Sequence, residues 1–238
     1  IVPFVTFRCL EQVRNDIAYA NLDIKIFGNG AGLAYGILGP THFAVEDIAI
    51  TRILPNLAIY SPADSVEMEQ IMRQSYNTKN PAYTRMDKSD KMFHQNQDTI
   101  VLGEPSVIRN GKDGVLITTG SYLGIMINVV NQLEQEGYFL KLISLHTLKP
   151  LNENSLMKEL KGYKKVFTAE EHKMVGGIGS IIGEILLKND LRDISFKSMG
   201  IENIYSPIIG KQDFLRTHYQ IDEKTIYENL INHLKNEK

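Results

Sequence analysis

Short runs rich in β-branched and aromatic residues alternate along this chain with longer stretches whose apolar residues recur at helical spacing, and few folds accept that alternation. Residues 23–27, 57–60 and 82–86 read as strands, and residues 8–19 as a helix. Val45, Ile48, Ala49 and Ile53 form one apolar stripe, with Thr41 as the expected N-cap of their helix. Asp64 and Glu67 have capping-box spacing ahead of a helix carrying Met68, Ile71, Met72 and Ser75. Residues 89–113 break the rhythm with polar runs and a hairpin-type Asn110-Gly111, and read as a linker with a short β excursion. The alternation then resumes: strands at 115–119, 140–144, 165–169 and 194–199, helices at 122–135, 153–160, 178–187 and 223–234. The expectation is an α/β protein of two domains, residues 1–105 and 106–238, each a largely parallel sheet flanked by helices.

Composition narrows the function classes. With 238 residues the chain suffices for two ordinary domains, and its net charge of -2 gives no electrostatic ground for a nucleic-acid or membrane partner. The single cysteine, Cys9, cannot form an internal disulfide, which fits a cytoplasmic location. The most apolar stretch, residues 115–130, is interrupted by Thr118, Thr119, Gly120, Ser121 and Gly124 and falls short of a bilayer span. Ile1-Val2-Pro3-Phe4-Val5 reads as strand and lacks signal-peptide character, so further residues are expected upstream.

Four motifs can carry chemistry. Phe4 and Phe7, at what reads as a strand end followed by a helix, offer flat faces to a heteroaromatic ring, or else pack in the core. Gly28 to His42 holds five glycines in twelve residues and leads into an expected helix N-terminus. Such a loop can approach a ligand closely, with free N–H groups for an anion and His42 as acid, base or donor, or it can be purely structural. Arg85 and Lys88 can hold a substrate anion or pair with carboxylates. Glu170-Glu171-His172-Lys173 followed by Gly176-Gly177-Ile178-Gly179 invites a dinucleotide reading, but the third fingerprint glycine would fall at Ile182, which argues against it.

Taken in order, these segments resemble the transketolase family, including 1-deoxyxylulose-5-phosphate synthase and split transketolases. The most specific stretch is Gly32-Leu33-Ala34-Tyr35-Gly36 through Gly39-Pro40-Thr41-His42, then Glu46-Asp47-Ile48-Ala49 and Ser61-Pro62-Ala63-Asp64. Thr119-Gly120-Ser121, Leu148-Lys149-Pro150 and Glu170-Glu171-His172 extend it. The resemblance implies a pyrimidine-binding domain lacking its N-terminal part, followed by a transketolase C-terminal domain. It implies a thiamine diphosphate cofactor whose Mg2+ or Ca2+ is held mainly by a separate N-terminal subunit or domain. It further implies a homodimer or dimer of heterodimers and sugar-type substrates exchanging a two-carbon ketol unit. Phe4, Phe7 and Arg8 are the implied cofactor contacts, His42 the implied catalytic and substrate residue, and Arg85 and Lys88 the implied substrate cations. The family's pyrimidine-protonating glutamate is expected before Ile1, so the chain alone is expected to be inactive.

Several departures from the family bear on substrate. Gly30 stands where a histidine is common, Ile37-Leu38 where Glu-Asp is usual, and Lys88 where an arginine often grips phosphate. Loss of these polar groups disfavours an ordinary pentose phosphate, and Gly30 is expected to open space. Two other function classes share the architecture: the β subunit of a 2-oxo acid dehydrogenase decarboxylating component, and a degenerate non-catalytic subunit.

Overall fold

The computed structural model describes residues 1–88, 92–94, 99–205 and 207–235. The chain opens with a π-helical turn Phe4–Arg8, a short helix α1 (Leu10–Gln12) and a second π-helical segment Val13–Tyr19. Strand β1 (Lys25–Asn29) leads into the glycine loop, followed by helix α2 (Asp47–Arg52), β2 (Ala58–Tyr60), α3 (Ser65–Asn77) and β3 (Ala82–Met86). The second half runs β4 (Ser106–Arg109), β5 (Gly114–Thr118), α4 (Leu123–Gln135), β6 (Leu140–Ser144), β7 (Thr147–Lys149) and α5 (Glu153–Leu160). It ends with β8 (Lys165–Lys173), α6 (Ile178–Lys188), β9 (Ser195–Ile201), α7 (Gln212–His218) and α8 (Glu223–Lys235).

Two sheets result, in the orders β1-β3-β2-β7 and β4-β6-β5-β8-β9. Pairing is parallel except at two edges, where β7 runs antiparallel to β2 and β4 antiparallel to β6. The α/β class and the two-sheet organisation therefore stand. The strand at 147–149 leaves the second half of the chain to complete the first sheet. The apolar core also crosses between the halves: Leu33, Phe43 and Val45 pack with Leu116, Leu123 and Phe167, and Ile48, Leu57 and Ile59 with Val115, Ile117 and Ile143.

Several local expectations are corrected. Residues 1–8 are helical, not strand: Phe4 and Val5 both donate to the Ile1 carbonyl, at 3.0 and 3.2 Å, and Pro3 suits a helix start. Thr41 caps no helix, because Pro40–His42 is an isolated 3-10 turn and α2 begins at Asp47. Ile53 and Met72, read as stripe residues, lie on the solvent side at 74% and 48% exposure. Asn110-Gly111 does not close a hairpin, because β6 lies between β4 and β5. That turn packs instead on β6's approach, with Lys112 and Asp113 both donating to the Phe139 carbonyl. Ser89–Lys91 and Gln95–Asp98 of the polar stretch lie outside the described residues.

Candidate functional site

The N-terminal π-helical turn carries Phe4, Phe7 and Arg8, and brings Arg8 back over Phe4. The Arg8 guanidinium lies 4.1 Å from the Phe4 ring centroid, and the His42 ring meets the Phe4 ring edge-on at 5.3 Å. His42 in turn has Nδ1 3.0 Å from the Thr41 hydroxyl. Phe7 is 41% exposed, which is unusual for a phenylalanine that packs in a core and leaves a flat face open to a ring ligand. Three of the residues singled out from sequence thus form one cluster, with a fourth exposed on the same turn.

The glycine loop is tied down rather than open. Gly30 and Ala31 both donate to the Met86 carbonyl at 2.8 Å, and Gly32 and Ala44 exchange backbone hydrogen bonds. Gly30 has φ +83°, and a Cβ there would lie 2.0 Å from Cε2 of Tyr35. The room expected from the missing histidine is therefore filled by the Tyr35 ring. Nor does the loop lead directly into a helix N-terminus, because it ends in the 3-10 turn Pro40–His42 and α2 begins only at Asp47. Lys88 is exposed and sits with Nζ 4.3 Å from the Tyr35 ring centroid.

Arg85 is placed differently from Lys88. It is 5% exposed, with Nε 2.8 Å from Oδ2 of the fully buried Asp47 and Nη2 3.2 Å from Oδ1 and from the Ala44 carbonyl. Tyr83 donates its hydroxyl to the same Oδ2 at 2.7 Å. Burial works against the Arg85 charge, but Asp47 more than compensates and holds its pKa above the ordinary value. Burial and the Asp47 charge together push the Tyr83 phenol well up. The guanidinium still borders a small cavity between the two halves, shared with Gly32, Ser61, Asp87, Gly120, Ser121 and Glu171.

The Glu170-Glu171-His172-Lys173 run lies inside β8 and is buried throughout. Glu171 reaches the first domain's loop, accepting from the Leu33 N–H at 2.7 Å, Gln212 Nε2 at 2.8 Å and Arg216 Nε at 2.5 Å. Glu170 accepts from the N–H groups of Ile178 and Gly179 at 2.7 and 2.9 Å. The anion position at the start of α6 is thereby filled by the chain's own carboxylate, so the glycine run holds no dinucleotide phosphate. Burial pushes the Glu170 carboxyl up to about 8, with the two N–H groups pulling the other way. His172 donates from Nδ1 to the Lys173 carbonyl at 2.7 Å, and burial lowers its pKa to about 4.

Sequence reading missed a second buried cluster, around Asp64. Its carboxylate caps α3 through the Glu67 N–H at 2.9 Å and accepts the N–H groups of Phe93 and His94 at 2.8 Å each, with His94 Nδ1 at 3.0 Å. Burial alone would raise the Asp64 pKa, but these N–H groups bring it below the usual value. Glu67 accepts from the Ala63 N–H at 2.7 Å, and burial raises its carboxyl to about 7. Its other oxygen stands 3.3 Å from His94 Nε2 without forming a hydrogen bond. The capping-box spacing signalled Asp64 and Glu67; nothing in the sequence signalled His94. Phe93 leads into a cleft of about 680 Å3 lined also by Lys88, Ser121 and Arg216. Among the described residues no group of three or more His, Cys, Asp or Glu is placed to hold a metal, and no helix is long and apolar enough to cross a membrane.

Comparison with known proteins matches both halves of the chain to one family. Residues 2–92 match the transketolase pyrimidine-binding domain and residues 103–226 the transketolase C-terminal domain. The chain belongs to the transketolase family. A curated relative, one subunit of the apulose-4-phosphate transketolase of Actinobacillus succinogenes, is 30% identical over 227 residues, spanning 95% of this chain and 73% of the relative. A 6-deoxy-6-sulfo-D-fructose transketolase subunit from a Clostridium strain is 27% identical over 224 residues, covering 94% and 69%. A solved structure described as a split gene transketolase, inactive β4 tetramer, superposes with a TM-score of 0.86 at 26% identity, covering 100% of this chain and 75% of that one. Membership of this family implies dependence on thiamine diphosphate. Phe7, with its ring exposed, stands on the same turn as Phe4 and Arg8.

Proposed function

We propose that this chain acts as the C-terminal subunit or section of a transketolase-type enzyme that moves a two-carbon ketol unit between sugar-type substrates. The observation that carries the reading is the open aromatic face of Phe7 beside the Phe4–Arg8–His42 cluster. When bound, thiamine diphosphate supplies the carbanion chemistry of C–C cleavage and formation. The chain's own residues do the rest. Phe7 and Phe4 give the ring an apolar seat and exclude water from it. His42, held by the Phe4 ring edge and the Thr41 hydroxyl, offers a proton or hydrogen bond to substrate oxygen. Lys88 supplies a positive charge for a substrate anion, while Arg85 backs that wall with its charge shared by Asp47.

Relatives named as single subunits of an apulose-4-phosphate transketolase support a separate N-terminal partner that binds the diphosphate and its Mg2+ or Ca2+. We read the assembly as cytoplasmic and as a homodimer or a dimer of heterodimers, with the domain division near residue 105. The substrate reading is a sugar other than a standard pentose phosphate. Leu38 and Ile37 are 50% and 66% exposed and present no acceptor to a sugar hydroxyl, and a relative named for a 6-deoxy-6-sulfo sugar points the same way. The relatives' names favour this over the 2-oxo acid dehydrogenase alternative.

The test is reconstitution with an N-terminal transketolase subunit, thiamine diphosphate and a divalent metal, profiled across ketose donors and aldose acceptors. Turnover is expected only in the complete mixture. Ketol transfer by this chain alone overturns the subunit reading. Best turnover with xylulose 5-phosphate and ribose 5-phosphate overturns the substrate reading. Activity confined to branched 2-oxo acids favours the dehydrogenase alternative.

A further inference from the structure

The role given to Lys88 assigns nothing to the residue that holds it. Tyr35 sits in the glycine loop, half-buried, with its hydroxyl 3.4 Å from Asn29 Nδ2 and its ring face 4.3 Å from Lys88 Nζ. The ring lies where a side chain at position 30 would project. A Cβ on Gly30 would come within 2.0 Å of Cε2 and 2.1 Å of Cδ2, and the φ of +83° at that position independently disfavours a side chain. The same loop is pinned to the end of β3, because Gly30 and Ala31 both donate to the Met86 carbonyl, two residues before Lys88. Gly30, Tyr35 and Lys88 therefore form one unit. The glycine makes room, the ring fills it, and the ammonium rests on the ring.

Physical chemistry gives that arrangement a purpose. A lysine presents a point charge on a flexible four-carbon stem, and ordering the stem on binding an anion costs rotamer entropy. An aromatic face attracts the ammonium and orders the stem in advance. Among the described residues no hydrogen bond or ion pair engages the ammonium, which borders the cleft between the two halves of the chain. The neighbouring Asp87 carboxylate accepts from the Ser121 hydroxyl and the Lys88 N–H.

We propose that Tyr35 is a positioning and specificity-determining residue, whose ring holds the Lys88 ammonium ready for the phosphate group of the substrate. The proposal rests on the functional reading above for its substrate, but its physical core is a preorganised phosphate site in this chain. Because the site replaces a forked donor and a residue-30 side chain by a single charge on a ring, it selects for the anionic end of the substrate. It leaves the carbon skeleton near position 30 facing an aromatic edge.

The experiment compares wild type with Tyr35→Phe, Tyr35→Leu, Lys88→Ala and the double variant Tyr35→Leu/Lys88→Ala. Inorganic phosphate is titrated into each, followed by NMR at the Lys88 side chain and neighbouring amides. In parallel, KM and kcat for a phosphorylated sugar are measured in the reconstituted complex. Tyr35→Leu is expected to weaken phosphate binding and raise KM about three- to tenfold, from loss of the cation–π contact and of stem preorganisation, with kcat the less affected constant. Tyr35→Phe keeps the face and should stay within about twofold of wild type. The double variant should be no worse than Lys88→Ala. Wild-type phosphate affinity in a folded Tyr35→Leu, additive losses in the double variant, or no wild-type phosphate shift at Lys88 would each overturn the inference. A reconstituted complex that transfers no ketol unit defeats the functional reading alone, because the phosphate titration is independent of turnover.

Discussion

Replacing Asp47 by asparagine should be among the most damaging single changes in the first domain. The substitution keeps the volume and removes the charge. Asp47 is fully buried and Arg85 only 5% exposed, so the guanidinium would remain in the interior without its counter-ion. Asparagine can still accept from either Tyr83 or Arg85, but it cannot return the two-point contact that Nε and Nη2 make at 2.8 and 3.2 Å. Removing one partner of a buried pair costs about 3–5 kcal/mol, most of it the stranded charge. Urea unfolding followed by far-UV circular dichroism measures the loss. Arg85→Met alone strands the carboxylate and should cost a similar amount. The double variant Asp47→Leu/Arg85→Met should lose clearly less than the sum of the singles, since neither charge is left behind. A cost under about 1 kcal/mol for Asp47→Asn, or strict additivity in the double variant, would show that the pair does not stabilise this wall in the way argued.

Three further outcomes are expected. Gly32→Ala should destabilise by about 1–3 kcal/mol, because its φ is +61° and the new Cβ would fall 2.4 Å from Glu171 Oε1; a thermal melt unchanged from wild type contradicts this. Burial lowers His146 to about 4, so its neutral form contributes stability fully present above pH 6.5 and lost as pH falls towards 4. Relative to His146→Gln, wild type should therefore lose about 2–3 kcal/mol between pH 7 and pH 4.5, and parallel stability curves for the two proteins would refute it. Phe7→Ala should weaken thiamine diphosphate binding to the assembled enzyme by about 1–3 kcal/mol, measured calorimetrically; unchanged affinity would return Phe7 to a packing role.

Much of the fold was legible because the two periodicities were clean. The β6 strand at 140–144 and the α5 helix at 153–160 fall on their expected bounds, where apolar runs and Asn152 capping agree. Thr147–Lys149 was missed because three residues carry no period, and its pairing with Ile59 and Tyr60 is wholly tertiary. Helix α7 was missed because Leu215 is its one buried residue, too little to mark a stripe. The opening was misread because Val2, Phe4, Val5 and Phe7 favour strands locally, while the structure satisfies their backbone in a helical turn. At the site, aromatic and histidine chemistry pointed to Phe4, Phe7 and His42, and the family resemblance added Arg8. Charge type could not distinguish Lys88, exposed on Tyr35, from Arg85, withdrawn onto Asp47, because the difference lies in partners brought from other elements. Tyr35 left only a faint trace, an aromatic five residues after a glycine in a position where a larger residue was expected.

The short strand β7 has a bearing on how the molecule is made. About sixty residues separate it from the end of β3, so a nascent chain exposes the bare flank of β2 until most of the second sheet has been synthesised. That flank is a fully buried, apolar edge in the finished protein, the kind of surface that recruits stray strands. Cutting the gene in the polar stretch would therefore not release two independent modules. The N-terminal piece would carry an open seam whose natural closure lies on the other piece, and the two would be expected to stay soluble only when produced together.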